Sequence, residues 1–249
     1  MAERTRYYRE WSFDRSRGVI RGMGELDPGR LPRQHCRLVE DEQGRLLRLE
    51  EHSPEFELPA VKVLGYESED CLRIAEALDY NPDGSVRLVH RYHYDELGRL
   101  VDREEFDGRG VPRGHVTSRW DEKGREVEET AYDPRGRVVV RHTYEFDSRG
   151  NVSREHVYGP TGTLEGVREL EYDEQGNVIE KRWFDPSGRL QSRFTHTYDA
   201  AGNRIASYLY GPTGNLLGET RTLYDEVGNP LAEGSPAPGS GGLRETPTP

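Results

Sequence analysis

The sequence predicts an all-β repeat protein, a long coiled antiparallel β-meander of hairpins that either winds as an open spiral or closes as a barrel-like sheet. Three observations predict it: a recurring turn motif, a fixed spacing of its glycines, and aromatic–aliphatic pairs that flank the turns. An aromatic residue, usually an aspartate, two variable residues and a glycine recur through residues 80–231. The glycines are Gly84, Gly98, Gly110, Gly124, Gly136, Gly150, Gly162, Gly176, Gly188, Gly202, Gly214 and Gly228. After a first step of 14 they alternate steps of 12 and 14, a unit of 26 residues, and internal periods of this size mark repeat architectures.

Tyr132-Asp133-Pro134-Arg135-Gly136-Arg137-Val138 shows why the motif is a turn. Asp at the first position of a type I turn accepts a backbone N–H, and Pro presets φ at the second. Gly supplies the positive φ of a three-residue hairpin loop with a G1 bulge. Turns at Gly98, Gly124, Gly150, Gly176, Gly202 and Gly228 lack proline, whereas those at Gly84, Gly136, Gly162, Gly188 and Gly214 follow a Pro-x pair. Calcium binding by the aspartates is the rival reading, but each turn offers one carboxylate and no D-x-D-x-D series, so turn capping is expected.

Loops of this type set a register. Tyr94 is expected to face Leu100, Tyr132 Val138, Phe146 Val152, Tyr158 Leu164, Tyr172 Val178, Phe184 Leu190 and Tyr210 Leu216, each an aromatic–aliphatic clamp. Glu126 opposite Trp120 and Arg204 opposite Tyr198 break the rule. Extended along the strands, the same register sets Gly114 opposite Tyr132, Gly166 opposite Phe184 and Ser192 opposite Tyr210, small residues that make room for rings; Val140 opposite Tyr158 is the exception. Strand lengths that alternate imply one residue of stagger per strand, the ratio found in barrels whose strands tilt by about 36°.

His90-Arg91-Tyr92-His93-Tyr94-Asp95-Glu96-Leu97-Gly98-Arg99-Leu100 and Thr195-His196-Thr197-Tyr198-Asp199-Ala200-Ala201-Gly202-Asn203 resemble the Y-x-Y-D-x-x-G-[R/N]-L core of YD repeats, also called RHS repeats. The resemblance covers roughly residues 80–231, with a period longer than the family's usual one. It implies β-hairpins spiralled into a coiled sheet, often the shell around a bacterial toxin or part of a cell-surface protein. It carries no catalytic residues into the repeats.

Regular repeats are expected over 80–231, divergent repeats forming an N-terminal cap over 1–79, and a disordered tail over 232–249, rich in Gly, Pro and Ser. Within the first third, Phe13-Asp14-Arg15-Ser16-Arg17-Gly18-Val19-Ile20 is the motif with one extra residue, and Leu26-Asp27-Pro28-Gly29-Arg30-Leu31 is the motif with one missing. Glu40-Asp41-Glu42-Gln43-Gly44-Arg45-Leu46 restores it. Val61 to Leu64 reads as strand. Ser68 to Leu78 fits either a short helix with Cys71, Ile74, Ala75 and Leu78 on one face or a strand ending at Tyr80, the spacing favouring the strand.

Hydrophobic residues make up 33% of the 249 and the mean hydropathy is −0.93, low for a thick core. A formal net charge of −11 speaks against nucleic acid, since phosphates need a basic surface. Lysine occurs only at Lys62, Lys123 and Lys181, so the basic charge is nearly all guanidinium. Cys36 and Cys71 are too few for a disulfide framework. Residues 1–11 lack the apolar stretch of a secretory signal, and no run approaches the ~20 apolar residues of a membrane span, so the expected location is cytoplasmic, with no membrane partner.

One face is expected to carry cross-strand ion pairs: Glu105 with Arg113, Arg125 with Glu145, Glu129 with Arg141, Glu169 with Lys181. On the face of the aromatic anchors, Tyr144, Arg154, Arg168 and Arg182 are expected in one transverse row. Like charges side by side are destabilising, so the row is either a partner-binding site for carboxylates or is compensated by Glu126 and Glu180 or by stacking on Tyr144. The next row is Glu128, His142 and His156; two histidines without a third ligand or a nucleophile point to packing rather than to metal or acid–base chemistry. No cofactor motif, Walker loop, zincin motif or nucleophile elbow occurs. The expectation is a non-enzymatic module that binds another protein, as an immunity, adaptor or chaperone-like partner of a bacterial toxin or effector. The alternatives are a structural element that self-associates through sheet edges, or carbohydrate binding through the aromatic anchors.

Overall fold

The computed structural model describes residues 3–17, 19–53, 58–68, 71–224 and 230–234. They form eighteen strands and one 3-10 turn at Pro28–Arg30. The strands are β1 (Arg4–Asp14), β2 (Val19–Glu25), β3 (His35–Glu40), β4 (Leu46–His52), β5 (Ala60–Tyr66), β6 (Ile74–Tyr80), β7 (Val86–Tyr94), β8 (Leu100–Asp107), β9 (Pro112–Trp120), β10 (Glu126–Tyr132), β11 (Val138–Phe146), β12 (Val152–Tyr158), β13 (Leu164–Tyr172), β14 (Val178–Phe184), β15 (Leu190–Tyr198), β16 (Arg204–Tyr210), β17 (Leu216–Tyr224) and β18 (Pro230–Gly234). The all-β meander of antiparallel hairpins expected from the repeats is the fold.

The chain divides into two units, residues 1–141 with 159–161, and residues 142–158 with 162–249. In the first, β1 pairs with both β2 and β3, and β3 to β10 pair in succession. In the second, β12 to β18 do the same. Ser68 to Leu78 resolves as strand from Ile74 onward, residues 69–70 lying outside those described. The turn at Gly228 and the tail beyond residue 234 also lie outside them, while Ala232 pairs with Leu223 in β18. Leu26 to Leu31 is not a hairpin: Asp27 caps the 3-10 turn through Gly29 N, because one residue too few remains for the three-residue loop.

The aspartate turns share one chemistry. At Asp133 the main-chain N–H donates to Arg137 O at 2.9 Å, and Gly136 N donates to Asp133 O at 2.9 Å, with Gly136 at φ 73°. Asp133 Oδ1 accepts from the N–H groups of Arg135 and Arg137, and Oδ2 accepts from Arg137 Nε at 2.8 Å. Arg45, Arg99, Arg125 and Arg189 repeat this last bond at their own turns, and Asn151, Asn177 and Asn203 supply it as amides. The aspartates are therefore turn caps with their acceptor capacity filled.

Beside the turns the register is as expected: Tyr94 faces Leu100, Tyr158 Leu164, Tyr172 Val178, Phe184 Leu190 and Tyr210 Leu216. One step further along, it is not. A second bulge follows each of these turns: Tyr172 faces Val178, but Glu171 faces Glu180, with Ile179 as the extra residue. Past the bulge every pair moves by one, so Phe184 faces Val167 rather than Gly166, Tyr210 faces Arg193 rather than Ser192, and Tyr132 faces His115 rather than Gly114. Two residues against one change the side of the sheet on which a given pair projects. Anchors of the two turn classes consequently alternate faces: in unit 2, Tyr172 and Tyr198 project from one side, Tyr158, Phe184 and Tyr210 from the other.

The small residues still make room for a ring, but for a different one. A Cβ at Gly166 would lie 2.4 Å from Trp183 Cζ2 and 2.8 Å from Phe184 O, and Ser192 directly faces Trp183. The anchors of the proline-free turns do a further job: the hydroxyls of Tyr94, Tyr172, Tyr198 and Tyr224 donate to Ile74 O, Val152 O, Val178 O and Arg204 O, and Trp120 Nε1 donates to Leu100 O at 2.7 Å. Each acceptor begins the strand that precedes the anchor's own, so one hydrogen bond ties each hairpin together at its open end.

Unit 1 has a compact core of Tyr8, Cys36, Leu38, Leu46, Leu49, Leu64, Ile74 and Ala77, against which Trp11, Phe13, Ile20, Tyr66 and Tyr92 pack. In unit 2 Ala206 is the one buried hydrophobic residue among those described. Gly166→Ala is expected to destabilise the protein by about 1–3 kcal/mol, since Phe184 O is backbone and cannot retreat cheaply; the shift of a urea unfolding midpoint measures it.

Candidate functional site

The bulges decide which charged side chains meet. In unit 2, Arg154 faces Glu169, Glu169 faces Arg182, Arg182 faces Arg193, and Arg193 faces Tyr210. Arg154 Nη2 donates to Glu169 Oε1 at 2.6 Å and its Nη1 lies 3.8 Å from Glu145. Arg182 meets Glu169 and Glu180, each at 3.5 Å, and hydrogen-bonds Glu171. Arg193 lies 3.5 Å from Glu180 and 4.4 Å from the centre of the Tyr210 ring.

Arg168 belongs to the other face. There Glu155 faces Arg168 and Arg168 faces Trp183. Arg168 Nη1 sits 2.7 Å from Glu155 Oε2, its guanidinium 5.8 Å from the Trp183 ring centre, and His142 Nδ1 bonds Glu155 Oε1 at 2.7 Å. Glu155 is 4% exposed. Burial alone would raise its pKa, but the His142 hydrogen bond and the charge of Arg168 outweigh burial and hold it below the usual carboxylate range. Tyr144, two residues from His142 on β11, shares this face, with ring centres 6.5 Å apart.

Tyr144, Arg154, Arg168 and Arg182 therefore do not form one row. Arg154 and Arg182 share a row with Glu169 between them, while Arg168 and Tyr144 lie on the opposite side. Glu180 does compensate Arg182, but Glu126 lies in unit 1 and pairs with Arg15 at 3.3 Å. The expected ion pairs shift in the same way: Glu169 meets Arg154 and Arg182 rather than Lys181, Arg141 meets Glu128 rather than Glu129, Arg125 holds Asp121, and Glu105 faces His90 and Gly114. His142 and His156 part company as well, His142 going to Glu155 and His156 facing Val167. Among the described residues no three His, Cys, Asp or Glu side chains gather as a metal site.

The Arg154 face carries an open groove of about 290 Å³, with Leu164, Val167 and Phe184 as apolar lining and Arg154, His156 and Glu169 as polar lining. Half-exposed Arg154 presents its charge at this groove. Glu155 and the pairing of Glu126 with Arg15 escaped the sequence argument, which placed Glu126 opposite Trp120 and beside the arginine row. Three of the bulges are signalled by adjacent apolar residues, Leu100-Val101, Val178-Ile179 and Leu216-Leu217, which interrupt the alternation of a strand.

No family model matches the chain, and a comparison with curated proteins finds no match. Among solved structures, it is similar to the Tc holotoxin pore of Photorhabdus luminescens with a TccC3 mutation, at TM-score 0.44 and 16% identity over 81% of this chain and 10% of that one. A TcdB2-TccC3-Cdc42 structure gives TM-score 0.32 and 14% identity over 76% and 12%. A porin-like protein from Bacteroides uniformis gives TM-score 0.44 and 10% identity over 82% and 90%. The chain spans about a tenth of the length of the toxin chains it matches. No helix of the described residues is long and apolar enough to cross a membrane.

The separation of the arginines makes a mutational contrast. Arg168→Gln leaves buried Glu155 short of its cation and is expected to cost about 1–3 kcal/mol. Arg154→Gln, on an exposed pair, is expected to cost no more than about 1 kcal/mol. Thermal or urea unfolding of the two single variants measures the difference, and equal losses would contradict the two-face arrangement.

Proposed function

We propose that the chain is a non-enzymatic β-repeat interaction module that binds another protein through the Arg154 face of unit 2. The observation that carries the reading is the groove of Leu164, Val167 and Phe184 beside Arg154, His156 and Glu169. Its apolar lining suits one partner side chain, and Arg154 and Arg182 on the same face suit carboxylates around it. Arg168 then serves the fold, by holding Glu155 on the reverse side together with His142. The resemblance to YD repeats supports a bacterial toxin or effector as the partner and an immunity, adaptor or chaperone-like role in the cytoplasm. A structural element that assembles with itself through sheet edges is the second reading.

Affinity capture with the wild-type chain and the double variant Arg154→Gln/Arg182→Gln tests this, each with its melting temperature recorded. The expected result is a stoichiometric protein partner that the double variant loses at least tenfold, with a nearly unchanged melting temperature. Equal capture by both chains would overturn the assignment of this face, and concentration-dependent growth in light scattering without a captured protein would favour self-assembly.

A further inference from the structure

The N-terminal hairpin of unit 1 reaches residues far away in sequence. Trp11 and Phe13 share one side of β1, and Arg15 follows at the same spacing in the turn. Trp11 Nε1 donates to Glu51 at 2.8 Å, the Phe13 ring lies 5.3 Å from that of Tyr92, and Arg15 Nη2 donates to Ser118 Oγ at 2.9 Å. Arg15 also pairs with Glu129 and, at 3.3 Å, with Glu126, while its carbonyl accepts from Leu100 N at 3.1 Å.

The acidic end of this site is built for a guanidinium. The Glu129 and Glu126 side chains are 5% and 17% exposed. Burial pushes Glu126 upward, against the opposing charge of Arg15 and a hydrogen bond from Ser118. One planar fork serves two carboxylates and a hydroxyl at once, which an ammonium on a flexible stem would do less well. The occupant is joined to the remainder of the unit by the mostly exposed residues between Glu25 and His35, which belong to no strand. With its 3-10 turn opened, that connector would reach at most about 30 Å, at about 3.3 Å per extended residue.

We propose that unit 1 holds a receptor site for an aromatic-x-aromatic-x-arginine strand, filled in cis by Trp11, Phe13 and Arg15, and that the same hairpin of a second copy of this chain takes the site when the two exchange. A second copy is the occupant because its segment carries the matching aromatic and guanidinium groups, and exchange of an identical element needs no new contact.

The experiment uses the full chain labelled at Cys71 with a donor or an acceptor dye; Cys36 is buried, which pushes its thiol up to about 11 and leaves it unreactive. Donor- and acceptor-labelled chains are mixed at rising concentration, with unlabelled synthetic peptide of residues 1–25 as competitor. The expected result is energy transfer that grows with concentration and incubation time, is abolished by the peptide, and is at least tenfold less sensitive to the peptide with Arg15→Ala. Absence of transfer at every concentration would overturn the proposal. So would transfer that neither peptide affects, which would place the contact elsewhere, or transfer that both peptides abolish equally, which would remove Arg15 from recognition.

Discussion

The carboxylate that opens most of the hairpin turns is the interaction on which the rest depends; Asn81, Gly159 and Gly211 stand in its place at three others. One oxygen accepts the backbone N–H groups two and four residues on, and the other takes an arginine or asparagine side chain four residues on. The loop is thereby fixed in length and hand, with glycine at the one position that needs positive φ. Hydrogen bonds to the charged form hold these aspartates below the usual carboxylate range, Asp185 at about 2, mainly through Ser187 and Arg189. The turn fixes where both strands begin, and the bulge beside it fixes which faces their side chains take.

The two units solve the shortage of apolar residues differently. Unit 1 gathers a core beneath the N-terminal hairpin and buries Glu129 against Arg15. Unit 2 has almost no fully buried hydrophobic residue, and relies on its backbone ladder, half-buried aromatic clamps and satisfied polar pairs such as Glu155 with His142 and Arg168, and His196 with Ser207. Breaking one partner of such a pair leaves a desolvated group. The tyrosine hydroxyls add a second bond per hairpin at its open end, which explains why most anchors of the proline-free turns are tyrosine or tryptophan rather than phenylalanine.

Turns, strands and clamp pairs were legible in the sequence because they depend on residues within one loop of each other. Asp-x-x-Gly and the aromatic before it are local, and Tyr94 with Leu100 or Tyr172 with Val178 follows from loop length alone. The candidate site was not legible in the same way. A bulge adds one residue without any Gly or Pro to announce it, and a shift of one moves Arg168 to the reverse of the sheet from Arg154. The contact of Arg15 with Glu129 was out of reach for another reason, since it joins residues 114 apart and no periodicity connects them. Glu126, the residue that failed the clamp rule opposite Trp120, marked the place.

The bulge-shifted register is the central claim, because it separates the arginines and defines the groove face. Paired cysteines test it most directly, since a disulfide forms only between residues whose Cβ atoms point toward each other at about 4 Å. Glu169→Cys with Arg182→Cys places the thiols directly across β13 and β14, whereas Glu169→Cys with Lys181→Cys places them on opposite faces. The account predicts that mild oxidation followed by peptide mass mapping finds the 169–182 disulfide and not the 169–181 one. The reverse result would contradict it.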